Sequence, residues 1–498
     1  MQSQRLDLYL GSIHETFPDN GMLVPMLMVF ARLERLLPLS QLPNGILVGA
    51  TVFGLIRVCG YRPRAALIGA CVALSVPIVV FQSFSGYIDL YAAAAWLSSL
   101  LALVWAARSA NSDARRDLVI MAGLAAGVAL GSKTTYLLLA VMLGLVVLLL
   151  GRLGTQVVGG VRRGALRNAV LCAGATLVCS GFWFIRGAVQ AGNPVYPLAV
   201  RIGDHQVLPG YTASMWFPER TFAEKVRRWW VYPWRETKYT GTGYPYGVNN
   251  GLGAAYTAFV PLGVLIGAAS LLRRKRRAPN HGLRGLMTLL ALGGMVLVLT
   301  LFEEMLRFAL PLVLVGVVAS AGLLDRLLGK SRRPLIAVVA VALACTAAVA
   351  VLKPVHALAG RLKDGVWDRA AFYEIPEEID RLPPGSVILN LVADDKNYAL
   401  LGRHGTNRVV SPGRWHETYH DAPLSAAMLR EHHVDFVYVA SADASEWAMD
   451  LPVELVVDTG KIPSRALSHA VRLYRVRLAY GGAVRASKMQ FPPAIHGG

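Results

Sequence analysis

Apolar residues in this chain are gathered into ten runs of about 16 to 21 residues, the length an α-helix needs to cross roughly 30 Å of hydrocarbon. The runs are Pro43–Gly60, Ala65–Ser83, Tyr87–Ala107, Asp117–Ser132, Thr134–Gly151, Leu166–Arg186, Leu252–Leu272, Gly285–Phe302, Arg307–Leu327 and Pro334–Leu352. The two that flank Lys133 are short, and a tilted pair or a hairpin would fit them. With 54% hydrophobic and 16% charged residues over 498 positions, there is too little charge to cover a soluble surface of that size. The expected fold class is an α-helical polytopic membrane bundle with about ten spans.

A net charge of +19 would suggest nucleic acid if it formed a patch, but its placement says otherwise. Basic residues fill alternate loops: Arg57, Arg62 and Arg64; Arg108, Arg115 and Arg116; Arg152, Arg162, Arg163 and Arg167; the Arg273–Arg277 run with Arg284; and Arg326, Lys330, Arg332 and Arg333. The intervening short loops are nearly bare. Such alternation is the positive-inside pattern and assigns the basic loops to the cytoplasm. No aromatic-interleaved basic patch lies outside them, so no nucleic-acid partner is expected. The five cysteines, Cys59, Cys71, Cys172, Cys179 and Cys345, lie within or beside the apolar runs and read as small packing residues.

An even number of spans with this polarity puts both chain ends outside, yet Met1–Asn20 is polar and carries no leader or span to take it there. The expectation is that an upstream first helix precedes this sequence. Residues 1–42 are expected to form an outer loop and, over Leu23–Leu39, an interfacial amphipathic helix interrupted by Arg32, Glu34 and Arg35. The bundle then occupies 43–353, with a large aromatic outer loop over 187–250 that could offer flat faces to sugar rings or form an interface belt. From 354 to 498 the composition shifts. Val387–Val392, Arg408–Pro412, Asp435–Ala440, Val453–Asp458 and Ala470–Leu478 read as strands, and Ala371–Leu382 and Pro423–His433 as helices. That alternation indicates a small extracytoplasmic α/β domain.

Charge at membrane depth is costly and so marks function. Five outer segments carry it. IHETFPDNG holds His14, Glu15 and Asp19, where a carboxylate could act as general base or ligate a divalent metal, although ordinary turn chemistry explains the same residues. QSFSGYID holds Tyr87 and Asp89, the acid opening a span where the helix dipole favours it. GVALGSKTT holds Lys133, suited to an anionic phosphate or to a snorkelling interface role. WFIRGAVQAGNPVYP holds Arg186, Asn193 and Tyr196, with Arg186 closing a span as a phosphate grip or a simple interfacial anchor. EEMLRFALP holds Arg307 opposed by Glu303 and Glu304, which a salt-bridged interface cluster would also explain. Carboxylates and cations thus converge on the face opposite the arginine-rich loops. A carboxylate base with cationic phosphate binders suits group transfer from a phosphate-linked lipid.

The ordered segments QSFSGYIDLYAAAAW, GLAAGVALGSKTTYLLL, IRGAVQAGNPVYPL and LRFALPL resemble those of the GT-C superfamily of multi-pass glycosyltransferases, and most closely the family-39-type bacterial enzymes that use polyprenyl-phosphate sugars. The resemblance covers nearly the whole chain. It implies inverting transfer from a polyprenyl-phosphate sugar to a glycan, lipid or protein of the envelope, at the outer face of the bacterial inner membrane. Glu15 and Asp19 match the later part of the family's first outer loop, Asp89 its second acidic position, Lys133 its GxK position and Arg307 the start of its late span, without the pattern fixing what each does. The candidate catalytic acids are Glu15, Asp19 and Asp89, and the candidate substrate binders His14, Tyr87, Lys133, Arg186, Asn193, Tyr196 and Arg307. No cofactor is required by the resemblance, and a divalent metal is compatible with it. The family's Asp…Tyr-His-Leu-Pro stretch is absent. RLDLYLGSIHETFPDNG resembles the part of the family's first outer loop that lies C-terminal to that stretch, in keeping with an upstream helix. Rival readings are a glycan-binding protein of the same fold without activity, and a transporter of lipid-linked sugars. A transporter would be expected to show midplane charge and paired repeats, which the sequence lacks.

Overall fold

A computed structural model describes residues 20–31, 33, 36, 39–84, 87–154, 162–196, 198–203, 205–210, 221–227, 251–272, 280–300, 306–327, 377–391, 400, 406–410, 426–431, 433–440, 451–458 and 471–477. His14, Glu15, Asp19 and the expected span Pro334–Leu352 lie outside them. The chain divides into two compact units, residues 16–364 and a second made mainly of residues 365–498.

The first unit is helical. After a 3-10 turn at Asn20–Met22 come α1 (Leu23–Phe30), α2 (Leu42–Val58), α3 (Pro63–Leu74), α4 (Pro77–Ser83), α5 (Asp89–Arg108), α6 (Ser112–Leu130), α7 (Tyr136–Gly154) and α8 (Arg162–Ala191). The short hairpin β1 (Val200–Ile202) and β2 (His205–Leu208) comes next, then α9 (Gly253–Leu272), α10 (His281–Thr300), a 3-10 turn at Leu306–Ala309 and α11 (Leu310–Leu327). Nine of the ten expected runs are therefore helical among the described residues. By length and composition, Asp89–Arg108, Leu166–Ala191 and Leu306–Leu327 can each cross a membrane, and the bent pair α3–α4 adds a fourth. Leu42–Val58, Tyr136–Leu150, Ala255–Ser270 and His281–Leu297 are shorter apolar helices. The protein is thus an α-helical multi-pass membrane protein.

Three expectations need correcting. The run Ala65–Ser83 is not one straight helix: α3 and α4 meet at 68°. Pro77 sits in the first turn of α4 and forces Val76 into an extended conformation, ψ 120°. The amphipathic helix expected over Leu23–Leu39 is α-helical over Leu23–Phe30 among the described residues, with Leu33 N donating to Met28 O beyond it. Arg186 does not close a span, because α8 continues to Ala191.

Local chemistry accounts for the helix ends. Asn111 caps α6, its side-chain oxygen accepting from Asp113 N at 2.8 Å. At the end of α2, Tyr61 N bonds Ile56 O and Gly60 N bonds Arg57 O, a Schellman closure that needs the left-handed φ of +82° at Gly60. On α6, Gly123 and Gly127 let the backbone of α8 approach closely. A methyl there would lie 2.4 Å from Cys172 O or 2.3 Å from Thr176 O. Thr176 Oγ1 donates across the same contact to Gly123 O at 3.1 Å. Trp96, buried in α5, donates to Leu139 O of α7 at 2.9 Å. Cys59, Cys71, Cys172 and Cys179 are all free.

The second unit holds a five-stranded mixed sheet, β3 (Val387–Asn390), β4 (Arg408–Val410), β5 (Phe436–Ala440), β6 (Val453–Asp458) and β7 (Val471–Val476), in the order β4-β3-β5-β7-β6. β3 runs parallel to β4 and β5, whereas β7 is antiparallel to β5 and β6. All five expected strands are present, together with α12 (Ala426–Glu431) within the expected helix Pro423–His433. The expected helix Ala371–Leu382 appears as a 3-10 turn, Glu377–Arg381, among the described residues. Ile388, Tyr438 and Leu473 pack on one face of the sheet, and Leu389, Val437 and Leu429 on the other. The unit is an α/β domain.

Two of the glycines make opposite stability predictions. Gly60→Ala should cost about 1–3 kcal/mol, since a methyl would meet Asn280 Nδ2 at 2.2 Å on a left-handed backbone. Gly144→Ala, in the middle of α7 with nothing within 4 Å, should be neutral or stabilising by up to about 1 kcal/mol. Thermal unfolding of both variants in detergent checks the pair.

Candidate functional site

Helix direction assigns each loop to one of two ends of the bundle, and hydrogen bonds show that the ends are real. At the basic end, Arg62 pairs with Asp325 at 2.8 Å, Arg108 donates to Asn280 Oδ1 at 2.8 Å, and Arg284 Nε donates to Cys59 O at 3.1 Å. These contacts gather the ends of α2, α3, α5, α10 and α11. The opposite end gathers the start of α5, the α6–α7 turn, the end of α8 and the turn before α11.

Asp89 opens α5 and is 1% exposed. Its Oδ1 accepts a hydrogen bond from Lys133 Nζ, in the α6–α7 turn, so the two form an ion pair away from water. A buried carboxylate without a partner would be costly, and the first turn of α5 adds the helix dipole to Lys133 as a source of stabilisation. Tyr136, at the start of α7, reaches the Asp89 carbonyl at 3.4 Å. Lys133 Nζ also lies 4.1 Å from the centre of the Phe308 ring. Arg307, next in the chain to that phenylalanine, lies 5.0 Å from its ring and 5.2 Å from the ring of Tyr87. Two cations and one carboxylate therefore share an aromatic frame. Tyr87, 42% exposed, forms the open side.

A second set of contacts reaches the same turn. Asn20, the residue after Asp19 in sequence, bonds Gly131 O through its backbone N at 2.9 Å. Its Nδ2 donates to Cys179 O at 2.9 Å, and its Oδ1 accepts from Trp183 Nε1 at 2.8 Å. The Arg186 guanidinium stacks on Trp183, 4.7 Å from the ring centre. Gly21 packs on Ile88, next to Asp89. The glycine at 131 matters here, because a side chain would meet Asn20 Nδ2 at 2.3 Å.

Among the expected site residues, Tyr87, Asp89, Lys133 and Arg307 are brought into one cluster. Arg186 joins them through Trp183, Asn20 and the 131–133 turn. Asn193 is fully buried and uses its side chain on its own loop, donating to Leu198 O and Pro209 O and accepting from Val195 N. Tyr196 lies in that same loop, its backbone N bonded to Asn193 O. Asn20, Trp183 and Phe308 carry no signal in the sequence that marks them for the site. Asn20 reads there as a turn residue. Among the described residues no group of three or more His, Cys, Asp or Glu could hold a metal ion.

No family model and no curated protein matches the chain. Solved structures do. Apo ArnT from Cupriavidus metallidurans is 15% identical with a TM-score of 0.43, over 92% of this chain and 87% of that one. ArnT bound to undecaprenyl phosphate is 14% identical with a TM-score of 0.42, over 92% and 88%. The Archaeoglobus fulgidus oligosaccharyltransferase in complex with Zn and sulfate is 14% identical with a TM-score of 0.46. It is matched over 85% of this chain and 59% of its own length. Together, fold and site define a multi-pass membrane protein with a buried ion pair framed by aromatic rings at the end opposite its arginine-rich loops.

Removing one member of a buried pair leaves the other uncompensated, at a cost of about 3–5 kcal/mol. Lys133→Ala and Asp89→Ala should each destabilise by that order, and the double variant by less than their sum. Additive losses in thermal unfolding would show that the two side chains are not coupled.

Proposed function

We propose that this protein is a GT-C glycosyltransferase that moves a sugar from a polyprenyl-phosphate donor to an envelope glycan, lipid or protein at the outer face of the bacterial inner membrane. One observation carries the reading: Lys133 and Arg307, from separate parts of the chain, flank Phe308 beside a buried acid, at the end away from the basic loops. Ammonium and guanidinium groups suit a phosphate, and guanidinium can grip it with two parallel hydrogen bonds. The ordered sequence motifs support the same class.

In the proposed reaction a carboxylate takes the proton of the acceptor hydroxyl. The freed oxygen attacks the anomeric carbon, and the bond from that carbon to the phosphate oxygen breaks. The charge that develops on the departing polyprenyl phosphate falls to Lys133 and Arg307. Asp89 is buried and ion-paired, which suits it to holding Lys133 in place better than to receiving a proton. Glu15 and Asp19 are the proposed bases, and His14, Tyr87, Arg186 and Tyr196 the proposed contacts to donor and acceptor. Asn193 would shape its loop. Asn20 would anchor the segment that carries the bases.

Arg307→Gln should lower sugar transfer from a radiolabelled polyprenyl-phosphate sugar by about 10²-fold while leaving membrane insertion and thermal unfolding near wild type. Asn20→Ala should lower the transfer rate, because it removes the side-chain bonds to Cys179 O and Trp183 Nε1 that hold Trp183, and Arg186 beside it, near the Lys133 turn. Transfer at wild-type rate in Arg307→Gln would remove that residue from the site. Donor-independent activity would remove the whole reading.

A further inference from the structure

The basic end of the bundle carries a second built cluster, which sugar transfer does not use. Arg57, Arg62, Arg108 and Arg284 come from four different helix ends and converge on the turn 58–62. Arg57 donates to Tyr61 O at 2.7 Å, and Arg108 to Val58 O as well as to Asn280 Oδ1. Arg284 donates to Cys59 O and lies 4.2 Å from the centre of the Tyr61 ring. Asp325 pairs with Arg62 at 2.8 Å. Among the described residues no carboxylate pairs with Arg57, Arg108 or Arg284.

A guanidinium has five N–H donors, and these three spend one or two each on neutral carbonyl or amide oxygens. The backbone carbonyls therefore hold three positive charges in fixed positions, with most of their donors still to be satisfied. Arg57 and Arg108 are exposed. An apolar side chain borders one of them: Trp105, 56% exposed, lies one turn from Arg108 on α5. Cations beside an exposed tryptophan mark the headgroup level of a bilayer.

We propose that this turn, with Arg57, Arg108 and Arg284, binds the phosphate of an anionic phospholipid, whose acyl chains lie along the face of Trp105. The bound lipid fastens the ends of α2, α5 and α10 together. The proposal rests on the membrane reading of the fold and is independent of sugar transfer.

Native mass spectrometry of the full-length protein tests it, with phosphatidylglycerol and phosphatidylcholine offered in equal amounts. Wild type should retain phosphatidylglycerol preferentially. Arg57→Gln with Arg108→Gln should lower its apparent affinity about tenfold or more, whereas Arg64→Gln, outside the cluster, should not. Arg57→Lys with Arg108→Lys, which keeps the charge and the fold, should lose only a few-fold. Equal retention of the two lipids by wild type, or no loss in the Gln pair, overturns the proposal. Displacement of phosphatidylglycerol by millimolar inorganic phosphate would indicate a free-anion site and overturn the lipid assignment.

Discussion

Asp89 and Lys133 face each other where almost no water reaches, and neither charge is tolerable there alone. Their pairing fixes the start of α5 against the α6–α7 turn. Trp96 and Leu139 then continue that contact along the helices, and the glycines of α6 set its distance from α8. Everything assigned to the site is built outward from this contact: Phe308 over the lysine, Arg307 beside it, and Asn20 on the carbonyl of Gly131. If the pair were absent, the turn bearing Lys133 would lose the fixed position that a phosphate site needs.

The bundle sorts its charges by end, and the two ends use arginine and lysine in different ways. At one end, guanidinium groups spend hydrogen bonds on the carbonyls left over where α2 stops. This is both a helix cap and a favourable placement for the dipole. At the other end, Lys133 and Arg307 lie close to aromatic rings, Lys133 beside Phe308 and Arg307 beside Phe308 and Tyr87. Asp89 pairs with the lysine.

Much of this is legible in the sequence, for reasons that can be named. Lengths of apolar run and the alternation of arginine locate the helices, since both derive from the thickness and the field of a bilayer. The five strands of the C-terminal unit are legible from β-branched residues such as those in Val453–Asp458. The order β4-β3-β5-β7-β6 is not, because pairing depends on contacts distant in sequence. Pro77 is visible in the sequence, but the run around it is apolar on both sides, and hydropathy alone hides the bend. The site is half legible. Asp89, Lys133 and Arg307 stand out as lone charges, yet nothing in their spacing reveals that Asp89 and Lys133 form an ion pair. Asn20 escapes a reading of the sequence because its role lies in three partners more than a hundred residues away. Asn193 reads there as a substrate contact, whereas its side chain shapes its own loop.

Sugar transfer at the outer face requires the ion-pair end to point outward and the arginine end inward. The most direct measurement is labelling by a membrane-impermeant maleimide in spheroplasts, with the native cysteines replaced by alanine and single cysteines introduced at Tyr87 or Arg64. Tyr87→Cys is expected to be labelled in intact spheroplasts and Arg64→Cys only after permeabilisation. The reverse pattern would place the ion-pair end in the cytoplasm and contradict the assignment.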